Sequence, residues 1–325
     1  MIEPVFSVII PVYNKGPHIK RALGSVIGQD FSALEIIVVN DASTDGSEKI
    51  LEQFNDARIR IFQRTEPGLG GYAARNLGIE KARGQWITFL DADDEWLPGH
   101  LSRLFELSEI FPMAEILGCG WYISDGSSCI INPYASRCKK KTLFDPEKYL
   151  DVQGRGMDLL HTDVVAVKRY LIEAIGGFPV AGPSCKRAGD GQTWLRCILA
   201  GAELAWRPEP GAVYYQDAVN MVTRAKQYDL NENCLINFLN GIIREGGDRS
   251  DGIMRGLKRY RDSRILSHLL QHARTGKVTR EHVVHGLRYF RLDVRFLLIF
   301  IAWLFPWAGE KLFKLKDRFG GVQSR

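Results

Sequence analysis

The sequence predicts an α/β fold with an open, mostly parallel sheet flanked by helices, followed by a helical, basic C-terminal region. Between residues 5 and 93, short apolar runs alternate with segments of helical periodicity, which is typical of a parallel sheet covered on both faces. The chain has 325 residues and is 45% hydrophobic and 25% charged, values that suit a globular protein with a sizeable core. Beyond residue 226 the pattern is helical and rich in Lys and Arg.

Four strands and three helices are predicted in the first region. The strands are apolar or alternating runs that end near turn-forming residues: Val5–Tyr13, Leu34–Asp41, Arg58–Arg64 and Gln85–Asp93. The intervening helices are His18–Gln29, Ser47–Phe54 and Gly71–Arg83. Asp45 stands three residues before Glu48, and this spacing predicts a cap at the start of the second helix.

Acidic residues end two of these strands. Asp41 ends the second, and Asp91 and Asp93 end the fourth. Ligands of open α/β sheets bind beyond the carboxyl ends of the strands. Because residues i and i+2 of a strand face the same side, we expect Asp91 and Asp93 to point together and Asp94 to point away. Such a pair suits Mg²⁺ or Mn²⁺. The alternative is a solvated acidic loop that caps the next helix.

Two longer blocks resemble family 2 of the glycosyltransferases, which have the GT-A fold. Residues 7–47, SVIIPVYNKGPHIKRALGSVIGQDFSALEIIVVNDASTDGS, have a strand ending in Pro-x-Tyr-Asn and a second strand that ends in an acid before Ser-Thr-Asp-Gly-Ser. Residues 74–94, ARNLGIEKARGQWITFLDADD, have an Ala-Arg-Asn-x-Gly helix that leads to Asp-x-Asp-Asp. Both blocks stand in the family's order and spacing, and a weaker resemblance continues to about residue 225.

The resemblance implies a pocket for the nucleotide of a nucleotide-sugar donor. The pocket would be lined by three residues at the end of the first strand: Pro11, Tyr13 and Asn14. Turn formation is the alternative role for the last two. Asp41 matches the acid that hydrogen-bonds the base. The family usually has Asp where this chain has Asn40 and Gly where it has Ala42, but Asp41 keeps the carboxylate, so we expect an intact pocket.

The same resemblance implies a metal-assisted diphosphate site. Arg75 lies in the helix that would face the donor, and Asp91 would contact the ribose or the metal. Asp93 would bind the Mn²⁺ or Mg²⁺ ion that bridges the donor diphosphate. A divalent cation stabilises the negative charge that develops on the leaving nucleoside diphosphate. On this interpretation the clustered carboxylates are tolerated because a dication cancels their repulsion.

Asp190 is the predicted catalytic base. An acceptor hydroxyl that attacks the anomeric carbon must lose its proton to a positioned group. Family members often have Glu-Asp before a Trp-Leu-Arg helix, and this chain has Gly189 and Asp190 there, with the family's Gly-Gly-Phe turn upstream at residues 176–178. The alternative is that Asp190 caps the helix that follows it.

One departure from the family concerns the metal. Members often have Tyr-Arg-x-His after the base helix, and in some the His assists the metal. The corresponding stretch here, Val213–Arg224, has no His. Gln216 or Asp217 would have to replace it, or Arg224 would hold the diphosphate, so the third metal contact stays open.

The C-terminal segment is basic and apolar. Residues 244–325 contain 18 Lys and Arg against 8 Asp and Glu. The apolar run Phe296–Gly309 is shorter than the roughly 20 residues that span a bilayer. With Trp303, Trp307 and flanking cations it favours an anchor lying in the plane of an anionic membrane surface. The alternatives are packing against the body or in a homodimer. Nucleic acid is disfavoured, because compact basic motifs with interleaved aromatics are missing.

The six cysteines and the N-terminus predict a cellular location. No Cys-x-x-Cys pair occurs, so a zinc site is not expected, and reduced thiols of a cytoplasmic protein are favoured. The first apolar run has no basic region before it and is not a signal peptide. We therefore expect a cytoplasmic protein associated peripherally with the inner face of the membrane.

These observations predict three regions of the chain and one activity. Residues 1–225 are expected to form a GT-A glycosyltransferase domain, residues 226–285 a helical extension, and residues 286–325 a membrane-associating segment. The expected activity is metal-dependent, inverting transfer of a sugar from a nucleotide-sugar to a hydroxyl of a lipid-linked or surface-polysaccharide acceptor. Family frequency favours a UDP-linked donor, with guanine and thymine as alternative bases. The alternative functions are an inactive sugar-nucleotide-binding scaffold and a nucleotidyltransferase.

Overall fold

The computed structural model describes residues 3–180, 182–218 and 230–274, and side chains up to residue 270. The chain divides into two compact units, residues 1–152 with 157–238 and residues 153–156 with those from 239 onward. The predicted division at residues 225 and 285 stays a prediction.

The first unit is built on a sheet in which ten strands are described. In chain order the strands are β1 Phe6–Val12, β2 Leu34–Asp41, β3 Ile59–Arg64, β4 Trp86–Phe89, β5 Glu95–Trp96, β6 Ile116–Ser124, β7 Cys129–Ile131, β8 Thr142–Phe144, β9 Val165–Lys168 and β10 Leu204–Tyr215. Across the sheet the order is β3-β2-β1-β4-β9-β6-β10-β5, with β7 beside β6 and β8 beside β10.

The sheet is parallel at one end and mixed beyond it. Strands β3, β2, β1 and β4 all pair in parallel, which confirms the predicted open parallel arrangement for the first 93 residues. Strand β9 then runs antiparallel to both β4 and β6, and β10 is parallel to β6 but antiparallel to β5 and β8. The sequence prediction of a mostly parallel sheet fails there because the regular strand-helix alternation stops after β4.

Ten helices are described along the chain. They are α1 Gly16–Ile27, α2 Ser47–Leu51, α3 Tyr72–Lys81, α4 His100–Ile110, α5 Pro133–Arg137, α6 Pro146–Gly154, α7 Arg169–Ala174, α8 Gly189–Leu199, α9 Cys234–Glu245 and α10 Asp251–Arg274. The last two lie in the predicted helical extension. The N-cap of α2 is Gly46, without a side-chain cap, so the predicted cap by Asp45 is wrong; Asp45 lies one residue earlier, and its carboxylate accepts the Ser47 N–H at 3.0 Å.

Helices cover both faces of the parallel strands. Alternate residues of β1 from Phe6 to Val12 are fully buried in one cluster with apolar residues of α1 and α4. On the other face Ile9 packs against α3, where a Cβ added to Gly78 would lie 2.5 Å from an Ile9 methyl carbon. Successive residues of a strand face opposite sides, so β1 is buried on both. This burial fixes the strand ends that carry the predicted site residues.

One disulfide contradicts the expectation of six reduced thiols. Cys185 and Cys234, 49 residues apart in sequence, are bonded within the first unit. The cysteines at positions 119, 129, 138 and 197 are free. The prediction fails because sequence spacing gives no signal for a pair that only the fold brings together.

No helix in the described ranges is long and apolar enough to cross a bilayer. The predicted membrane-associating segment, residues 286–325, lies outside the described residues.

Candidate functional site

A cavity of about 280 Å³ lies beyond the carboxyl ends of β1, β2 and β4. Its lining includes seven of the eight residues that the sequence predicts for the site: Pro11, Tyr13, Asp41, Arg75, Asp91, Asp93 and Asp190. The chain brings these residues together from three strand ends and from the starts of α3 and α8. All of them belong to the first unit.

Asn14 is the predicted residue that does not line the cavity. Its backbone is left-handed, with φ of 52°. Its side-chain oxygen accepts the Thr44 N–H at 2.8 Å, and its own N–H donates to Ser43 Oγ at 3.0 Å. These contacts match the alternative role of turn formation, since Asn tolerates this conformation and often closes turns. Tyr13, in contrast, lines the cavity with 45% of its surface exposed.

Asp41 is held rigidly at the end of β2. The β2–β3 register places Arg64 opposite Asp41, and the Arg64 guanidinium donates to one carboxylate oxygen. The other oxygen accepts the Gly68 N–H at 3.0 Å. Asp41 is 1% exposed, so both contacts are shielded from water. This carboxylate has a fixed orientation at the cavity wall.

Arg75 and Asp91 form an ion pair that lines the cavity. The Arg75 guanidinium is buried and donates to the Asp91 carboxylate and, at 2.8 Å, to the Gly70 carbonyl. Burial alone would lower the pKa of Arg75, but the Asp91 charge raises it above its ordinary value. Arg75 therefore supplies a permanent positive charge inside the cavity.

The acids after β4 lie in a turn, which corrects the predicted arrangement. Strand β4 ends at Phe89, and the Asp94 N–H donates to the Asp91 carbonyl at 3.0 Å. The two-residue periodicity of a strand does not apply in a turn, so Asp91 and Asp93 are not a same-side pair. The carboxylates that cluster within 4.8 Å are instead those of Asp91, Asp94 and Asp163, whereas Asp93 Oδ2 contacts Lys15 Nζ at 2.7 Å.

Asp163 was missed by the sequence reasoning and anchors this turn. It is fully buried, accepts the Asp91 N–H at 2.8 Å, and its carbonyl accepts the Trp96 indole N–H at 2.6 Å. Burial raises the pKa of Asp94 well above its ordinary value, and the Asp163 charge adds to the shift. Burial would also raise the pKa of Asp163, but His161, together with hydrogen bonds from the Asp91 N–H and from Asp94, outweighs burial, and the net shift is downward. The pKa values of the two buried acids are therefore shifted in opposite directions.

His161 is a second residue that the sequence reasoning missed. Its Nδ1 lies 3.0 Å from Asp163 Oδ2, and its ring lies between those of Trp121 and Tyr214, at centroid distances of 5.4 and 4.8 Å. Burial would lower its pKa, but Asp163 and other cavity acids raise it overall. The available signal was a polar His-x-Asp sequence directly before the buried strand β9.

Asp190 lies in the first turn of α8 and does not cap it. The residue before the helix is Ala188, in a left-handed conformation, with no side-chain cap. The Asp190 carboxylate accepts the Thr162 hydroxyl at 3.3 Å and lines the cavity. The capping alternative is therefore not observed.

Steric crowding explains why position 189, next to Asp190, is a glycine. The Gly189 N–H donates to the Tyr72 hydroxyl at 2.9 Å, and a Cβ at Gly189 would lie 2.6 Å from the Tyr72 ring. Tyr72 therefore fills the space that the first acid of the family's Glu-Asp pair would need. Burial, with a contribution from Asp190, raises the pKa of Tyr72 to about 12, so its hydroxyl stays protonated.

A basic loop beside Asp190 completes the cavity. Lys186 and Arg187 line it, and the Cys185–Cys234 disulfide holds their segment. The Lys186 N–H donates to the Glu232 carbonyl at 2.9 Å, and the Lys186 amino group pairs with the Glu232 carboxylate. Neither Gln216 nor Asp217 lines the cavity, and Arg224 lies outside the described residues. The third metal contact is therefore not found among the predicted candidates that the structure describes.

The donor groups fit a hard cation, although the fold already balances much of their charge. Four carboxylates, from Asp91, Asp93, Asp94 and Asp163, offer the oxygen ligands that Mg²⁺ and Mn²⁺ prefer. Three of them contact a basic side chain: Asp91 with Arg75, Asp93 with Lys15 and Asp163 with His161. The interpretation that a dication alone offsets their repulsion is therefore incomplete.

Comparisons with known proteins identify the fold and a family match for the N-terminal part of the chain. Residues 7–148 match the family model described as Glycosyl transferase family 2. The GalNAc(5)-diNAcBac-PP-undecaprenol beta-1,3-glucosyltransferase of Campylobacter jejuni is 39% identical over 105 residues, which cover 32% of this chain and 34% of that protein. The shared part spans 14% of the glycosyltransferase GlyA of Streptococcus pneumoniae and 58% of the uncharacterized glycosyltransferase alr2836 of Nostoc, so the chain spans less than two thirds of the length of these curated relatives.

Solved structures share the fold at low sequence identity. TarS 1-349 of S. aureus, solved in complex with UDP-GlcNAc, superposes with a TM-score of 0.67 at 16% identity, covering 97% of this chain and 92% of that one. The mannosyltransferase PcManGT from Pyrobaculum calidifontis, solved with GDP-Man and Mn²⁺, gives 0.52 at 19% identity and covers 93% and 88%. The chain therefore shares the GT-A fold of these structures, and its residues 7–148 match glycosyltransferase family 2.

Proposed function

We propose that this protein transfers a sugar from a UDP-linked nucleotide-sugar to a hydroxyl of a glycan acceptor, with inversion at the anomeric carbon. The observation that carries the proposal is the convergence of Asp41, Arg75, Asp93 and Asp190 on one cavity. Asp41 would bind the nucleobase of the donor, and Arg75 supplies a buried positive charge. Asp93 would bind the metal ion, and Asp190 is the candidate catalytic base. The match of residues 7–148 to glycosyltransferase family 2 supports the same reaction class.

Each residue has a task in the proposed reaction. Asp41, fixed by Arg64 and Gly68, would accept a hydrogen bond from the N–H of the uracil ring. Arg75 places a buried positive charge next to Asp91, which would contact the ribose. Asp93 would hold Mn²⁺ or Mg²⁺, which would offset the charge developing on the departing diphosphate.

Asp190 would act as the general base. The acceptor oxygen forms a bond to the anomeric carbon while the bond to the diphosphate oxygen breaks, and the bonding electrons leave with UDP. The hydroxyl proton passes to the Asp190 carboxylate, which Thr162 orients. A single displacement of this kind inverts the configuration of the anomeric carbon.

The acceptor belongs to the same proposal. We propose a lipid-linked or surface-polysaccharide acceptor, reached by a cytoplasmic protein whose residues 286–325 lie on the inner face of a membrane. The Campylobacter relative, whose name specifies a PP-undecaprenol substrate, supports this choice. Deletion of residues 286–325 should move the protein from the membrane to the soluble fraction of lysed cells. Unchanged fractionation would argue for a soluble acceptor or for packing of this segment in a homodimer.

The proposed donor is tested with a panel of nucleotide-sugars. The full chain is incubated with UDP-, GDP- and dTDP-hexoses, with and without Mn²⁺, while thermal stability and nucleotide release are measured. We expect stabilisation and slow release of UDP from a UDP-hexose only when Mn²⁺ is present. Tight binding without turnover of any donor would instead favour an inactive scaffold, and release of pyrophosphate when UTP and a hexose 1-phosphate replace the nucleotide-sugar would favour a nucleotidyltransferase.

A further inference from the structure

Lys15 forms an ion pair with the carboxylate of Asp93, which is proposed to hold the metal ion. Its Nζ lies 2.7 Å from Asp93 Oδ2, and 13% of each side chain is exposed. Both residues line the cavity. Because most of this pair is shielded from solvent, salt screens it less than a surface ion pair. Within the folded chain, Lys15 therefore neutralises Asp93.

The backbone of Lys15 is fixed, while its side chain keeps a flexible stem. The Lys15 N–H donates to Ser47 Oγ at 3.1 Å, and the next N–H, that of Gly16, donates to Asp45 Oδ2 at 2.9 Å. Both bonds tie the start of α1 to the start of α2. A lysine has four methylene groups and three rotatable N–H donors. Its ammonium can therefore change partners without a movement of the backbone.

Two other acids at the strand ends, Asp41 and Asp91, are held by arginines. Arg75 contacts Asp91 and also donates to the Gly70 carbonyl, and Arg64 contacts Asp41 from the neighbouring strand. A guanidinium is planar and presents its donors in a fixed fork, so it suits a permanent contact. The pair of Lys15 with Asp93 differs from these two in having a point charge on a flexible stem. It is the pair best suited to exchange.

We propose that Lys15 is a donor-binding residue that exchanges between Asp93 and the diphosphate of the nucleotide-sugar. This inference rests on the proposed function. An ammonium and a dication repel each other at contact distance, so Lys15 leaves Asp93 when a divalent cation binds that carboxylate. The diphosphate then offers anionic oxygens within the same cavity. Lys15 thereby opposes binding of the metal alone and favours binding of metal and nucleotide together.

The test compares Lys15→Met with a matched control. Methionine keeps much of the aliphatic stem and removes the charge, and Lys20→Met makes the same change at an exposed position of α1. Mn²⁺ alone is titrated into the full chain by calorimetry, and UDP is then titrated at saturating Mn²⁺. Since a charged hydrogen bond is lost in each state, we expect Lys15→Met to bind Mn²⁺ about tenfold more tightly and UDP about tenfold more weakly. Lys20→Met should match the wild type in both titrations.

The outcomes separate this inference from the proposed function. Normal UDP binding together with unchanged Mn²⁺ affinity in Lys15→Met would overturn the exchange and leave the proposed function standing. Tighter Mn²⁺ binding with unchanged UDP affinity would also overturn it, because Lys15 would then not reach the phosphates. A wild-type chain that binds no UDP would overturn both. If Lys15→Met does not fold, Lys15→Gln carries the same expectations.

Discussion

Two walls of the cavity are built by different means. The sheet wall, formed by the ends of β1, β2 and β4, carries Asp41, Asp91 and Asp93 on buried strands and their turn. The loop wall, residues 185–190, carries the candidate base on a segment held by a disulfide and by contacts with residues 232–234. The sheet wall depends on local sequence patterns, whereas the loop wall depends on contacts between distant parts of the chain.

Removal of the carboxylate on the loop wall should have the largest effect. Asp190→Asn keeps the size of the side chain but cannot accept the hydroxyl proton, so we expect kcat to fall by about 10²–10⁴. Donor affinity should stay close to that of the wild type, because the sheet wall is unchanged. Steady-state kinetics with a UDP-hexose, alongside Asp248→Asn in an exposed loop as control, measures both quantities. Full activity of Asp190→Asn would exclude it as the base.

Opening the disulfide should loosen the loop wall and leave the sheet wall intact. The bond closes a long loop, so its loss in Cys185→Ser/Cys234→Ser should lower the free energy of unfolding by about 2–4 kcal/mol. The free Cys129 provides the control, because Cys129→Ser changes an exposed thiol. Chemical denaturation with and without reductant measures the difference. We expect the double variant and the reduced wild type to be equally stable. If reductant does not change the stability of the wild type, the disulfide is contradicted.

A single added methyl group should destabilise both walls, but lower activity is expected only for the one on the loop wall. Gly189→Ala would push a Cβ against the Tyr72 ring, and we expect a loss of about 1–3 kcal/mol together with lower activity. Gly78→Ala, which meets Ile9 under the sheet wall, should cost a similar amount of stability. Denaturation and kinetics on both variants test the contrast. A stable, fully active Gly189→Ala would mean that Tyr72 does not set the position of Asp190.

The smallest effect concerns the pH dependence of the sheet wall. Asp94 has a raised pKa in the folded chain, so the folded state binds more protons than the unfolded state above the ordinary value of 3.8. Stability contributed by Asp94 is therefore present at low pH and lost as pH rises through this window, at up to about 1.4 kcal/mol per pH unit. Asp94→Asn removes the dependence. As pH rises, the unfolding free energy of the wild type should fall relative to that of Asp94→Asn. A difference between the two that does not change with pH would contradict the raised pKa of Asp94.

The parallel strands and seven of the residues that line the cavity were predictable from the sequence, because their signals are local. Apolar runs located β1, β2 and β4, and the resemblance assigned their terminal acids. The turn after Phe89 was not predictable, since an apolar run does not show where a strand stops pairing. The ion pair of Lys15 with Asp93 and the contact of His161 with Asp163 join residues without a sequence motif. The disulfide was missed for the same reason.

Calorimetric titration of UDP at saturating Mn²⁺ tests the central claim most directly, namely that the sheet wall binds the diphosphate of a nucleotide-sugar through a divalent cation. We expect the wild type and Asp248→Asn to bind UDP with the same affinity, and Asp93→Asn to bind it at least about tenfold more weakly, because a charged contact is lost. Removal of Mn²⁺ with EDTA should weaken the wild type to the level of Asp93→Asn. Equal UDP affinity of Asp93→Asn and the wild type, with or without Mn²⁺, would contradict the claim.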